Sequence, residues 1–202
     1  MGVVLNLSDT CLRSKIAIDL ALSGLSLPTL DDRADKIEAG RGARVSATIM
    51  LTDIVDSTRR AAEMGDESWS RLLDRHDDLA REVVLRYSGA LAKTTGDGVL
   101  ATFDGPGCAV RCALTLQSAA RLIGLALRVG VHAGDVELRR GDVRGVAVHA
   151  AARVMRKCAP GEVLVSRAVA DLAAGTGLAF SERGSHELRG LPGQWDLYAA
   201  RV

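Results

Sequence analysis

The sequence predicts an α+β fold: a ferredoxin-like βαββαβ core with additional C-terminal strands and helices. Three observations predict it. A β-rich run, VSATIMLTD at 45–53, leads into a long stretch of helical periodicity. Two short β-forming runs then flank Gly96-Asp97-Gly98, a strong hairpin signal. A second amphipathic stretch and further strand-forming runs complete the split βαβ order, an antiparallel-rich sheet with helices expected on one face. In this layout the first strand and the hairpin lie side by side in mid-sheet.

Each element has a local reason. Val45–Asp53 is rich in β-branched and apolar residues and forms the first strand. Ser57-Thr58 opens a short helical turn, and Gly65-Asp66 restarts the helix. Trp69, Leu72, Leu73, Ala80, Val83, Val84 and Tyr87 then recur at i, i+3, i+4, i+7 spacing up to a stop at Gly89. Ala90–Thr95 and Val99–Phe103 are the hairpin strands. Asp104 is expected to cap a second helix that Pro106 opens, with Ala109, Val110, Ala113, Leu116 and Ala120 as its apolar stripe. Leu125–His132 and Asp135–Arg140 read as another strand pair, closed by Gly141-Asp142. Val146–Cys158 is a third helix, which Pro160-Gly161 ends. Glu162–Ser166 is a strand and Arg167–Ala174 a short helix. Terminal strands fall in Leu178–Leu188 and Trp195–Val202.

Residues 1–44 stand apart as an N-terminal leader or linker. A short amphipathic helix is expected between Asp9 and Leu25, followed by a polar, glycine-marked run to Arg44. The orderly domain is 45–202.

Of the 202 residues, 48% are hydrophobic and 25% charged, which excludes a wholly disordered chain. Twenty-six Lys and Arg against 25 Asp and Glu leave a net charge of +1, with no global footprint for nucleic acid or an anionic membrane. Aromatics at 3% disfavour a ferredoxin-like RNA-binding module, which grips bases by stacking. Cys11, Cys108, Cys112 and Cys158 include no C-x-x-C pair, and no H-x-x-x-H or H-E-x-x-H occurs, so zinc chemistry is disfavoured. The thiols are expected reduced, in a cytoplasmic protein. The apolar stretch Ile16–Leu27 is broken by Asp19 and serines, short of the roughly 20 apolar residues a membrane span needs. No membrane partner is expected.

Two aspartates stand where chemistry could occur. Asp53 ends the first strand and Asp97 sits on the hairpin turn, so the layout makes them neighbours in space. Taken singly, each serves equally well as a cap or a turn residue. Together, with no His or Cys nearby, they form a hard-oxygen pair suited to Mg²⁺ or Mn²⁺. Ser57 and Thr58 open the helix behind Asp53, and a helix N-terminus is a seat for phosphates.

TDIVDST at 52–58 and KTTGDGVLATF at 93–103 resemble the two metal motifs of class III nucleotidyl cyclases. GDVRGVAVHAAARV at 141–154 resembles the substrate-binding hairpin and helix of the same family. The three motifs follow the family's order, and the resemblance covers about residues 45–202. The short hairpin at Leu138–Arg144 is similar to that of the bacterial subgroup called class IIIc. The resemblance implies that Asp53 and Asp97, with the Ile54 carbonyl, bind two metal ions, Mg²⁺ or Mn²⁺. It implies that Lys93 and Asp142 read the purine base. Arg153 matches the arginine that steadies the phosphates in the transition state. In the family these sets come from different subunits. A chain that holds both resembles a homodimer with two composite sites.

The chemistry of the bases agrees with an ATP substrate. Adenine shows an acceptor at N1 and a donor at N6, so a Lys donor and an Asp acceptor complement it. Guanine reverses both and would want an acceptor where Lys93 stands. The structural reading beside this one is a solvated strand lysine and a turn-forming aspartate. His149 and Arg153 lie four apart, hence on one helix face.

Two departures from the family pattern stand out. His149 occupies the place of an asparagine that helps hold the ribose and the transition state, although an imidazole can still donate a hydrogen bond. Asp56 stands where glycine is common, and a carboxylate beside a triphosphate must turn away or cap the helix. Arg189 lies near the family's phosphate-contacting lysine. The expected activity is adenylyl cyclisation of ATP. A guanylyl or dual-specificity cyclase, and a weakly active nucleotide-binding regulatory domain suggested by His149, are the alternatives.

Overall fold

A computed structural model describes residues 43–139 and 142–202. The expected leader therefore lies outside the described residues, except that Ala43 and Arg44 already belong to the first strand. The elements are β1 (Ala43–Ile54), α1 (Ser57–Met64), α2 (Asp66–Arg86), β2 (Ala90–Thr94), β3 (Val99–Phe103) and α3 (Pro106–Leu122). They continue with β4 (Leu127–Arg139), β5 (Asp142–Arg144), α4 (Val146–Met155), β6 (Glu162–Ser166), α5 (Arg167–Leu172), β7 (Ala179–Glu187) and β8 (Gln194–Arg201). The strands form one sheet in the order β2-β3-β1-β4-β6-β8-β7, with β5 paired to β4 off that path. Only β4 and β6 run parallel among these pairs. The βαββαβ core is present, with β7 and β8 appended.

The helices do not lie on one face, as the ferredoxin-like layout led us to expect. Ile49, Met50 and Leu51 of β1 are buried in succession. A strand alternates its side chains, so three consecutive buried residues require cover on both faces. Met50 and Ile54 join a core with Leu72 and Val84 of α2 and Leu116 of α3. Ile49 and Leu51 join a second core with Ala147 and Ala151 of α4, on the opposite face. Among the described residues, the helix carrying His149 and Arg153 is thus alone against its side of the central strands.

A second difference concerns 125–140. The expected strand pair is one 13-residue strand, β4. It pairs with β1 from Ala43↔Leu138 to Ile54↔Leu127, and this unbroken ladder carries Ala133-Gly134 straight through instead of turning there. A third concerns α3, whose N-cap is Gly105, not Asp104. Pro106 supplies the fixed φ of the first helical position, which places the cap on the residue immediately before it.

Close contact fixes α4 on the sheet. A Cβ added at Gly130 of β4 would stand 2.3 Å from the Met155 nitrogen and 2.6 Å from the Ala151 oxygen, so helix backbone rests directly on strand backbone. Cys108, Cys112 and Cys158 are buried thiols outside any disulfide. Burial pushes Cys112 and Cys158 up to about 12, which leaves them structural and unreactive. No helix among the described residues is long and apolar enough to cross a membrane.

Candidate active site

The end of β1 and the β2–β3 turn meet. The Ile54 N–H donates to the Asp97 carbonyl at 2.8 Å, and the buried Thr52 hydroxyl accepts from the Val99 N–H at 3.0 Å. These two bonds lock the hairpin tip against the strand end, so Asp53 and Asp97 share one corner. Ser57, the first residue of α1, donates its hydroxyl to Asp97 Oδ2 at 2.6 Å. That hydroxyl orients a carboxylate of the corner, a contact the sequence does not suggest. Thr58 follows it in the first turn of α1 and is exposed.

Asp53 also has a partner the sequence did not suggest. Arg128 of β4 stands opposite it in register and donates from Nη1 to Asp53 Oδ2 at 3.1 Å. Even so, the Asp53 carboxyl is held above its ordinary value. Burial is the main cause; the Arg128 hydrogen bond opposes it, and the charge of Asp97 adds to it. Two carboxylates in a half-buried corner, not fully neutralised by one arginine, are a donor set that fits a divalent cation. No group of three His, Cys, Asp or Glu side chains suited to a metal exists among the described residues, so further ligands would be backbone carbonyl, water or substrate oxygen.

Lys93 and Asp142 are brought together from distant strands. Lys93 lies at the end of β2 just past a bulge: Leu91 pairs with Ala101, but Lys93 pairs with Leu100. A bulge re-aims the side chains beyond it. Lys93 Nζ reaches Asp142 Oδ1 of β5 at 3.2 Å. Asp142 also accepts from Arg144 Nε at 2.9 Å and from the Val143 N–H at 3.0 Å. The Arg144 hydrogen bond, then that of Lys93, holds the Asp142 carboxyl below its usual range.

On α4, His149 is exposed while Ala147, Ala150 and Ala151 face inward. Arg153 Nε donates to the Arg189 carbonyl at 3.0 Å. The β7–β8 connection is therefore tied to α4, and buried Leu188 anchors it in a small core with Val154, Cys158 and Leu197. The Arg189 side chain is exposed. Asp56 takes a left-handed conformation at φ 55°, which explains the frequency of glycine there, and turns outward to pair with Arg59 at 3.0 Å.

The remaining histidines have structural roles. His76 is fully buried, with Nδ1 3.1 Å from Asp77 Oδ1. His132 shares a hydrogen bond with Ser166 Oγ at 2.8 Å and packs edge-on to Trp195. His186 Nε2 donates to the Arg183 carbonyl at 2.8 Å.

A profile of the adenylate and guanylate cyclase catalytic domain matches residues 43–200. The chain belongs to that family. "Putative adenylate cyclase 3" of Rhizobium meliloti (strain 1021) is 30% identical over 154 residues, covering 72% of this chain and 26% of that protein. The adenylate cyclase of Streptomyces griseus is 34% identical over 124 residues, 60% of this chain and 31% of that protein. The chain thus spans less than a third of either relative. Among solved structures, the adenylyl cyclase CyaB from P. aeruginosa superposes with a TM-score of 0.75 at 19% identity, covering 81% of this chain and 97% of that one. The guanylyl cyclase Cya2 does so with a TM-score of 0.72 at 19% identity, covering 80% and 94%. At that identity they share the cyclase domain's fold, and they include both nucleotide specificities. The protein is a class III nucleotidyl cyclase domain.

Proposed function

We propose that this cyclase domain converts ATP to 3′,5′-cyclic AMP and pyrophosphate at sites shared between two copies of the chain. The observation that carries the choice of ATP is the contact of Lys93 with Asp142 at 3.2 Å. One donor and one acceptor, side by side, match adenine N1 and N6; guanine would meet a donor with N1–H and an acceptor with O6.

The other residues take roles around that base. Asp53 and Asp97, with the Ile54 carbonyl, would hold two divalent cations, Mg²⁺ or Mn²⁺, which when bound would acidify the ribose 3′-hydroxyl and neutralise phosphate charge. Ser57 keeps Asp97 in place, and the first turn of α1, with Thr58, offers backbone N–H groups to phosphate oxygens. Arg153 offsets the charge that grows on the phosphate as the 3′-oxygen attacks the α-phosphorus and pyrophosphate leaves. The Arg189 carbonyl holds the Arg153 guanidinium on one side, and the Arg189 side chain can reach a terminal phosphate. His149, on the same face as Arg153, donates to the ribose.

The shared site is supported by the presence of both half-sites in one chain. Lys93→Ala and Asp97→Ala should each be inactive alone, and mixing the two folded, dimeric variants should restore activity through one intact site per heterodimer. No recovery on mixing overturns the shared site. Product formed from ATP and from GTP with Mn²⁺ tests the substrate, and a preference for GTP overturns the reading of Lys93 and Asp142.

A further inference from the structure

The position that sets the purine-reading carboxylate is Arg144, which no part of the proposed chemistry uses. Asp142 and Arg144 lie two apart on β5 and so project from the same face of the strand. Val143 between them is buried in the core beneath α4, which fixes the strand's roll. Glu137 stands directly across from Arg144 in the β4–β5 ladder, yet Arg144 Nε donates to Asp142 Oδ2.

The acceptor sites of Asp142 can be counted. A carboxylate has about four lone-pair sites, two on each oxygen. Oδ1 receives Lys93 Nζ at 3.2 Å and the Val143 N–H at 3.0 Å. Among the described residues, Oδ2 receives a single donor, Arg144 Nε, at 2.9 Å. One acceptor site remains, on Oδ2, and the Arg144 contact fixes the rotation that aims it. An exocyclic amino group satisfies that site; a carbonyl oxygen would face it with like polarity.

We infer that Arg144 is a positioning residue for base selection: it holds Asp142 as a fixed, ionised acceptor, so that a purine bearing an amino group at C6 is favoured over one bearing a carbonyl. The inference rests on the reading of Lys93 and Asp142 as the base-recognising pair. Arg144 touches no reacting atom in this scheme, and its effect appears as a ratio between nucleotides.

The test measures equilibrium dissociation constants for α,β-methylene-ATP and α,β-methylene-GTP, with Mn²⁺, on the full chain. Arg144→Ala should lower the preference for the adenine nucleotide by about fivefold, a modest factor because both partners are partly exposed. Arg144→Lys, which keeps a cation within reach, should restore most of that preference. In an Asp142→Ala background, Arg144→Ala should change the ratio no further. If Arg144→Ala weakens both nucleotides equally, or leaves the ratio within twofold of the parent, Arg144 is only structural and the inference fails while the base-reading pair stands. If Asp142→Ala itself leaves the ratio unchanged, the base-reading pair is wrong and the inference falls with it.

Discussion

Gly98→Ala isolates how the hairpin builds the acidic corner. Gly98 has no left-handed φ, so alanine is conformationally acceptable there. The obstacle is contact: a Cβ would lie 2.0 Å from the Thr52 carbonyl oxygen and 2.9 Å from its carbon. Both are backbone atoms of the central strand and cannot rotate aside, so the hairpin must move by about 1.5 Å to reach ordinary contact. That displacement strains the Ile54 N–H to Asp97 bond at 2.8 Å and the Val99 N–H to Thr52 bond at 3.0 Å. Two hydrogen bonds at about 1 kcal/mol each, plus about 1–3 kcal/mol for overpacking, give a loss of roughly 3–5 kcal/mol. With a urea m-value of about 2 kcal/mol/M, the unfolding midpoint should fall by roughly 1.5–2.5 M. Gly96→Ala is the internal comparison. Its φ is 89° with nothing within 4 Å, so only the left-handed penalty of about 1 kcal/mol applies. Circular dichroism during urea unfolding reads both. A Gly98→Ala midpoint at or above that of Gly96→Ala would refute the reasoning.

Burial holds the His132 imidazole below its ordinary value, so the folded state resists a proton that the unfolded chain accepts. Stability is therefore complete above the unfolded value near 6.5 and is lost as pH falls toward the lower folded value. His132→Gln should flatten the decline in unfolding free energy as pH falls below about 6.5; an unchanged slope would exclude His132 as its source. At Asp56, φ 55° makes glycine the easier residue. Asp56→Ala should cost about 1 kcal/mol while Asp56→Gly costs less, because the Arg59 pair is exposed and contributes little. Equal losses in thermal unfolding would argue against backbone strain there. Arg128→Ala removes a cation from Asp53 and should tighten Mn²⁺ binding without nucleotide by about threefold or more, read by electron paramagnetic resonance. Arg156→Ala, whose charge reaches Asp53 without a hydrogen bond, should have a smaller effect, and an equal one would mean that the direct contact is unimportant.

The parts of the fold that depend on local pattern were legible. The Gly-Asp-Gly turn and the helical period of 69–87 placed the hairpin and the long helix before it, and the split βαβ order alone set Asp97 beside Asp53. What was not legible depends on register and on which face a helix chooses. The consecutive Ile49-Met50-Leu51 run carried the signal for cover on both faces, and reading it as a generic strand hid the separate position of α4. Arg128 looked like one charge in an apolar strand. Its partner exists only because a 12-residue ladder sets Asp53 against it. Arg144 was hidden likewise: the short hairpin at Leu138–Arg144 is legible, but the contact of Arg144 with Asp142 depends on side-chain direction along β5, which a sequence pattern does not give.

The two polar centres differ in what the protein has already supplied. Asp142 already accepts three hydrogen bonds from its own chain and sits below its usual proton affinity, so it is set as an acceptor before any ligand arrives. Asp53 is in the opposite condition, raised by burial and by Asp97 despite Arg128. A group poised against its own charge gains most from an added cation, whereas one already paired with cationic donors gains least. In the proposed scheme the acidic corner is therefore the end that ligand charge would complete, and the Lys93–Asp142–Arg144 cluster the end that would select by shape and polarity. Specificity should accordingly survive changes of divalent cation that alter affinity at the acidic corner, because the two centres draw on separate charges.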